Sequence, residues 1–314
     1  MGRKIKIDNI TVIGAGLVGS AWAAFYAGKG FTVKLYDIDK SVTEKGYQKA
    51  LENLTFLLEH NLIPQEAYER ANSSLDRVES IQEAVKATDF VHESASERYE
   101  IKKNLFAEID GYTPEDVIIA SSTSALLMTE IQKVMKHPER GVIAHPFNPA
   151  HLVPLVELVG GEQTSEAVIA RLHDFYEDCG KVPVILKKEI PGFIANRLQA
   201  AVWREAIDMV LKGVANVGDV DKALYAGPGI RWALMGQHMT YHLGGGPGGI
   251  EHFVDHIGEN KRRLWEDMAK WTQLPSETKR VLADGIEQEM GEKSIKEVEQ
   301  WRDEKIVKLL NAIY

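Results

Sequence analysis

A chain of 314 residues, 44% hydrophobic and 26% charged, is long for one domain and has the composition of a soluble globular protein, so two domains are expected. Its net charge of −9, from 37 basic and 46 acidic residues with no dense Lys/Arg patch, disfavours nucleic-acid and anionic-membrane partners. The single cysteine, Cys179, excludes an internal disulfide. No apolar run approaches the ~20 residues that span a bilayer, and the amino terminus lacks a signal core and, with Lys6, a myristoylation site; a cytoplasmic protein is expected.

Up to residue 190, short β-branched runs alternate with helical patterns. The first strand, ITVIGAG (10–16), enters the turn GAGLVG, in which Gly14, Gly16 and Gly19 flank Leu17 and Val18 and open a helix over 17–29. Gly14 permits the tight turn, Gly16 lets the backbone approach a pyrophosphate, and Gly19 allows close helix–strand packing. The first N–H groups of the helix then face the phosphates. Alone, such a turn is weak evidence, but the next strand, FTVKLYD (31–37), ends in Asp37, 18 residues past Gly19. An acid at that distance bonds the adenosine ribose and repels the 2′-phosphate of NADP, and Ile38, Asp39 and Lys40 supply no Arg to offset it. NAD is the expected cofactor; the plainer alternative is a structural turn followed by a helix-capping Asp.

A helix over 41–61 follows, then strands FVHESA (90–95), VIIASS (117–122), GVIAHPF (141–147), VPLVELV (153–159) and KVPVILK (181–187), with a helix over 164–179. Short connections between them predict βαβ units and a parallel, doubly wound α/β sheet of Rossmann type. At Ile190-Pro191-Gly192 the texture changes. GFIANRLQAAVWREAIDMVLKG spaces Phe193, Leu198, Val202, Ala206 and Val210 helically, and little strand signal follows. Residues 1–190 are therefore expected to form the NAD-binding domain and 191–314 an all-α domain for substrate and dimer contacts. GGGPGG (244–249) reads as a turn between helices, and EKSIKEVEQWRDEKIVKLL as a solvated amphipathic helix.

Hydride transfer from an alcohol needs a base, and His is the default because its ordinary pKa of about 6.5 lies near working pH. Of ten histidines, His60, His137 and His173 stand in polar helical or turn contexts, and His151 stands in a loop. His238/His242 and His252/His256 have chelating spacing but no companion Glu or Cys cluster, so no metal is expected. His145 ends a predicted strand at the carboxyl edge of the sheet, where doubly wound folds bind ligands, and Glu157 reaches the same edge. Spacing alone leaves open whether they are base and partner or a capping His beside an unrelated Glu.

HPFNPAHLVPLVEL, together with GAGLVG, SSTSAL (121–126) and PGFIANRL (191–198), resembles the L-3-hydroxyacyl-CoA dehydrogenase superfamily over nearly the whole chain. The resemblance implies that His145 is the general base and Glu157 its partner. It implies that Ser124 contacts the substrate oxygen and that Asn148 and Asn196 make substrate and active-site bonds. Glu97 and Lys102, in ESASERYEIK, stand at its cofactor positions. It also implies a homodimer, in keeping with apolar stretches at 200–211, 230–235 and 306–314 that one small core would not fully bury.

GPGIRWALMGQHMTYHLGGGPGGIEHF (227–253) is similar to the lambda-crystallin/L-gulonate 3-dehydrogenase branch and closer still to the L-carnitine 3-dehydrogenases, although Ser96 stands where the latter tend to carry Pro. The reaction implied is NAD-dependent oxidation of a small L-3-hydroxy acid, first of all L-carnitine to 3-dehydrocarnitine. A free carboxylate suits a bidentate Arg231. A quaternary ammonium suits the aromatic faces of Trp232, Tyr241, Trp203 and Phe253. These aromatics read equally as helical core, and Arg231 as a salt-bridging residue. L-gulonate or another free 3-hydroxy acid, a 3-hydroxyacyl-CoA, and a non-catalytic crystallin-like binding role are the alternatives. The joint presence of His145, Glu157, Ser124 and Asn196 speaks against the last.

Overall fold

Strands covered by helices on both faces need apolar residues on both faces, and the central runs obey this. In the computed structural model, which describes residues 7–314, strands β1 (Asn9–Ile13), β4 (Phe90–Glu93), β5 (Ile118–Ser121) and β6 (Gly141–Pro146) are buried at all but one position. They form one eight-stranded sheet with β2 (Thr32–Tyr36), β3 (Leu75–Arg77), β7 (Leu155–Gly160) and β8 (Val182–Leu186), in the order β3-β2-β1-β4-β5-β6-β7-β8. The strand order reverses between β1 and β4, which opens the crevice where ligands of such sheets bind.

One expectation is corrected. The sheet is parallel except between β6 and β7, which run antiparallel. A parallel return needs a crossover of about a dozen residues or more, and the 147–154 connection is too short for one. Its antiparallel register sets His145 directly opposite Glu157. Sequence reading placed no strand at the edge position β3 and no helices over the residues of α3 (Gln65–Ser74) and α4 (Ile81–Val85), among other elements. With three residues, β3 is too short to display alternation.

Helix α1 (Leu17–Gly28) buries ten of its twelve residues, and α2 (Lys40–Glu59) starts where the Asp39 side chain accepts from Ser41 N–H. Helices α5 (Tyr99–Tyr112), α6 (Met128–Ile131) and α7 (Glu166–Asp178) complete the layers. Phe106, Ile109, Ile119, Ile143 and Phe193 belong to one core cluster.

The chain divides into two compact units between Asn196 and Arg197, within helix α8 (Ala195–Leu211). Among the described residues the second unit is entirely helical: the rest of α8, α9 (Val217–Ala226), α10 (Pro228–Trp232), α11 (Gln237–Gly244), α12 (Gly249–Asp267), α13 (Thr278–Met290) and α14 (Ile295–Ile313). Ser294 and Glu297 form a reciprocal capping box at the start of α14. Few of this unit's apolar side chains are buried. Trp203, which the plainer sequence reading placed in the core, is 52% exposed, with Trp265 and Trp301 more open still.

Candidate active site

The glycine turn is built as its spacing demands. Gly14 has φ +94°, and a Cβ on it would meet the Ser94 carbonyl carbon at 2.5 Å. A Cβ on Gly19 would collide with the Gly14 carbonyl oxygen at 1.7 Å, so these two glycines serve the packing of α1 against the ends of β1 and β4. Gly16 differs: it is the N-cap of α1, makes no side-chain cap bond, and a Cβ there would enter open space. A helix N-terminus left uncapped beside open space fits the phosphates of a dinucleotide. Asp37, at the end of β2, accepts Ala15 N–H at 2.9 Å and Asp39 N–H at 3.1 Å, which fixes its carboxylate beside that turn. Leu17 is exposed at the head of the helix.

At the far edge of the crevice His145 Nδ1 lies 2.8 Å from Glu157 Oε2, and both side chains are buried. The second Glu157 oxygen accepts two backbone N–H groups, from Ile194 at 2.8 Å and Ala195 at 3.0 Å. Burial alone would raise the Glu157 carboxyl; the His145 imidazole and the two N–H groups outweigh it and hold the group below the usual carboxylate range. Those N–H groups are delivered by a left-handed turn, with Gly192 at φ 77° and Phe193 at φ 50°. Phe193 is fully buried against the imidazole, their ring centroids 5.4 Å apart. A non-glycine residue held there is backbone strain stored beside His145.

Glu97, Lys102 and Ser124 form a third group. Glu97 Oε1 accepts from Thr123 Oγ1 at 2.6 Å, Ser124 N at 2.9 Å and Ala125 N at 3.1 Å, so the carboxylate shapes the 121–125 turn. Burial would raise its carboxyl, but the Thr123 hydroxyl, Lys102 and the turn N–H groups together hold it low. Lys102 is buried and donates to both oxygens of Glu93, at 2.8 and 2.9 Å; Glu97 Oε2 is 3.7 Å away. Val18, Ser94, Ala95, Glu97, Lys102, Ser122, Ser124, His145, Pro146 and Asn148 line one cavity of about 250 Å³. Asn148 is exposed there and precedes a cis peptide bond to Pro149. Asn196 Nδ2 donates to the Ser124 carbonyl oxygen at 3.4 Å. An open cleft of about 400 Å³ between Lys40 and Glu79 is bordered by surface ion pairs and holds none of these groups.

Residues 9–190 match the NAD binding domain of 3-hydroxyacyl-CoA dehydrogenase, and residues 192–284 its C-terminal domain. The chain belongs to the 3-hydroxyacyl-CoA dehydrogenase family. It is 39% identical over 307 residues to an L-carnitine dehydrogenase of Oceanobacillus iheyensis, covering 98% of each chain. It is 38% identical to one of Streptomyces coelicolor, covering 98% of this chain and 95% of the other. Among solved structures, a 5-formyl-3-hydroxy-2-methylpyridine 4-carboxylic acid 5-dehydrogenase, described as an NAD+ dependent dismutase, superposes with a TM-score of 0.84 at 27% identity, covering 98% of this chain and 99% of that one. A (S)-3-hydroxybutyryl-CoA dehydrogenase from Ralstonia eutropha gives 0.66 at 31% identity, covering 71% and 78%. As a member of this family the chain is an NAD-dependent oxidoreductase acting on CH–OH, with a Rossmann-type sheet followed by a helical domain.

Within this dehydrogenase, sequence reading passed over Glu93, Ser94, Ser122 and Thr123. Their signal was positional: they stand at or just beyond the carboxyl ends of β4 and β5, the edge that faces the crevice. In the second unit Arg231 is exposed on α10, and Trp232 is 39% exposed with its indole N–H on Gln237 Oε1. Tyr241 stacks on Phe253 at 4.4 Å, and the Lys261 ammonium stands 4.9 Å from its ring centroid. The aromatic face expected to receive a substrate cation therefore already carries a lysine.

Proposed function

We propose that this dehydrogenase oxidises the 3-hydroxyl of L-carnitine to 3-dehydrocarnitine, with His145 as general base. The observation that carries the chemistry is the His145–Glu157 pair, with His145 on the cavity wall and Glu157 behind it. A carboxylate on Nδ1 keeps the hydrogen on that nitrogen and leaves the Nε2 lone pair to take the hydroxyl proton; the same charge then stabilises the imidazolium. NAD, which the Gly14–Gly19 turn and Asp37 would hold, would supply the acceptor for the hydride leaving C3. Ser124 Oγ, held by Glu97 only at 3.3 Å, turns to the oxygen that becomes the carbonyl, with Asn196 bracing it from behind and Asn148 at the open side. The substrate comes from the near-full-length likeness to proteins named L-carnitine dehydrogenase. Arg231 and Trp232 are the residues proposed for its carboxylate and its trimethylammonium; Tyr241 takes second place because Lys261 already meets its ring.

In the same reading 1–190 holds NAD, 191–314 carries substrate and homodimer contacts, and the protein works in the cytoplasm. Exposed Trp203, Trp265 and Trp301 support a partner copy, and a lone buried cysteine suits a reducing compartment. No helix of the described residues is long and apolar enough to cross a membrane.

The test is NADH formation with L-carnitine, L-gulonate, L-3-hydroxybutyrate and 3-hydroxybutyryl-CoA side by side. The highest kcat/KM is expected with L-carnitine. A rate with the thioester alone would overturn the substrate, and no rate with any would restore the binding-protein reading.

A further inference from the structure

Behind the cavity wall runs a file of hydrogen bonds that the redox step does not use. Ser94 Oγ and Ser122 Oγ, both lining the cavity, are 2.9 Å apart. Ser122 Oγ lies 3.0 Å from His92 Nε2, and His92 Nδ1 lies 2.7 Å from the Tyr26 hydroxyl. That hydroxyl is 3.0 Å from the Tyr176 hydroxyl, and the Trp22 indole donates to Ser122 Oγ at 3.2 Å. His92, Trp22, Tyr26 and Tyr176 are fully buried. Burial pushes the His92 imidazole down to about 3, so at neutral pH the ring is uncharged, with one donor and one acceptor nitrogen.

The phenol decides which nitrogen is which. A phenol donates better than it accepts, so with the Tyr176 hydroxyl donating to Tyr26 the Tyr26 O–H turns to Nδ1. The one ring hydrogen stays on Nε2, shared between Ser122 Oγ and the Ala144 backbone carbonyl that also accepts from this ring. Ser122 Oγ then receives two donors, the Trp22 indole and His92 Nε2–H. Both its lone pairs are used, and its own hydrogen is free only for Ser94 or for an acceptor in the cavity.

We propose that His92 is a positioning residue which, together with Trp22, aims the Ser122–Ser94 hydroxyl pair as donors at oxygen atoms of the bound dinucleotide. The cofactor is the recipient because Ser94 abuts the glycine turn, where a Cβ on Gly14 would strike its backbone and one on Gly19 would lie 3.5 Å from its Cβ.

Calorimetric titration with NADH tests this without turnover, so the outcome does not depend on which hydroxy acid is oxidised. Ser122→Ala is expected to weaken NADH roughly three- to tenfold, the worth of one hydrogen bond. His92→Leu is expected to weaken it similarly. The double variant should lose no more than the worse single one, because both act through one hydroxyl. His92→Gln, whose amide N–H replaces Nε2–H, should recover most of the affinity. Wild-type NADH affinity in His92→Leu with only a lowered melting temperature would overturn the proposal, as would additive losses or a loss confined to the hydroxy-acid KM. Should His92→Leu fail to fold, Tyr26→Phe decides: it removes the O–H that sets the tautomer, together with its contact to Tyr176, and unchanged NADH affinity there would equally overturn it.

Discussion

His145 Nδ1 and Glu157 Oε2 meet at 2.8 Å across two antiparallel strands, and the other Glu157 oxygen is already held by two backbone N–H groups. The carboxylate is thus an acceptor on every side. That geometry predicts how each partner fails when replaced.

His145→Gln should lower kcat by about 10²–10⁴, the usual worth of a general base, while NADH binding stays near wild type. Stopped-time assays and calorimetry on the same preparation check the two halves. A near-normal kcat would remove His145 from the mechanism.

Glu157→Gln is expected to cost a comparable ~10²–10⁴ in kcat although it is nearly isosteric. The amide oxygen must face the N–H groups of Ile194 and Ala195, so its NH₂ is turned toward Nδ1 and forces the hydrogen onto Nε2, where the base is needed bare. Nitrogen-15 imidazole shifts of His145 would report the exchanged tautomer.

The glycines separate structure from ligand room. Gly14→Ala and Gly19→Ala should lower the melting temperature, since each Cβ meets backbone atoms closer than 3.0 Å. Gly16→Ala should fold normally and bind NADH more weakly, since its Cβ occupies only the open space at the start of α1. A Gly16→Ala variant with unaltered NADH affinity would contradict the placement of the phosphates.

Lys102→Met should destabilise by about 3–5 kcal/mol, because it strands the buried Glu93 carboxylate. Glu93→Gln combined with Lys102→Met should regain part of that loss, as the buried charge is then gone. Denaturant titrations of the three proteins give the comparison.

Lys181 predicts a pH effect. Its buried ammonium donates to the Ala150 and Val153 carbonyls of the 147–154 connection and lies over the Phe25 ring at 4.3 Å. Burial, with Lys29 nearby, pulls it down to about 7. Above pH 7 the folded chain releases this proton while the unfolded chain keeps it to about pH 10.4, so the unfolded state binds more protons and stability rises with pH. Buried Cys179, pushed up to about 12, acts in the opposite sense once an unfolded thiol ionises near pH 8.5. The clean window is therefore pH 7–8.5: there, the melting temperature of the wild type should climb relative to Lys181→Met. Parallel curves would mean that Lys181 does not titrate there.

Much of the fold is legible along the chain, because β-branched runs and helical spacing are local patterns. The strand over Leu75–Arg77 is not, since three residues at a sheet edge show no period. The site is legible where a motif spells it, as at Gly14–Gly19 and around His145. It is not legible at Glu93, one acid among 46 Asp and Glu residues, which acquires meaning only when Lys102 folds onto it. His92 likewise reads as one polar residue within an apolar strand until Tyr26 and Ser122 close on its two nitrogens.

By itself, the sequence determined the α/β-then-α order, the glycine turn that opens α1 and the histidine to examine first, because each is written in a few consecutive residues. The tertiary structure alone decided that β7 turns back against β6, that Glu157 faces His145 in register, that Lys102 folds back onto Glu93, and that His92 and Lys181 find partners distant in the chain. The physical reason is burial: a polar group taken out of water must be met by another, and which one meets it depends on what the whole sheet and its helices bring alongside.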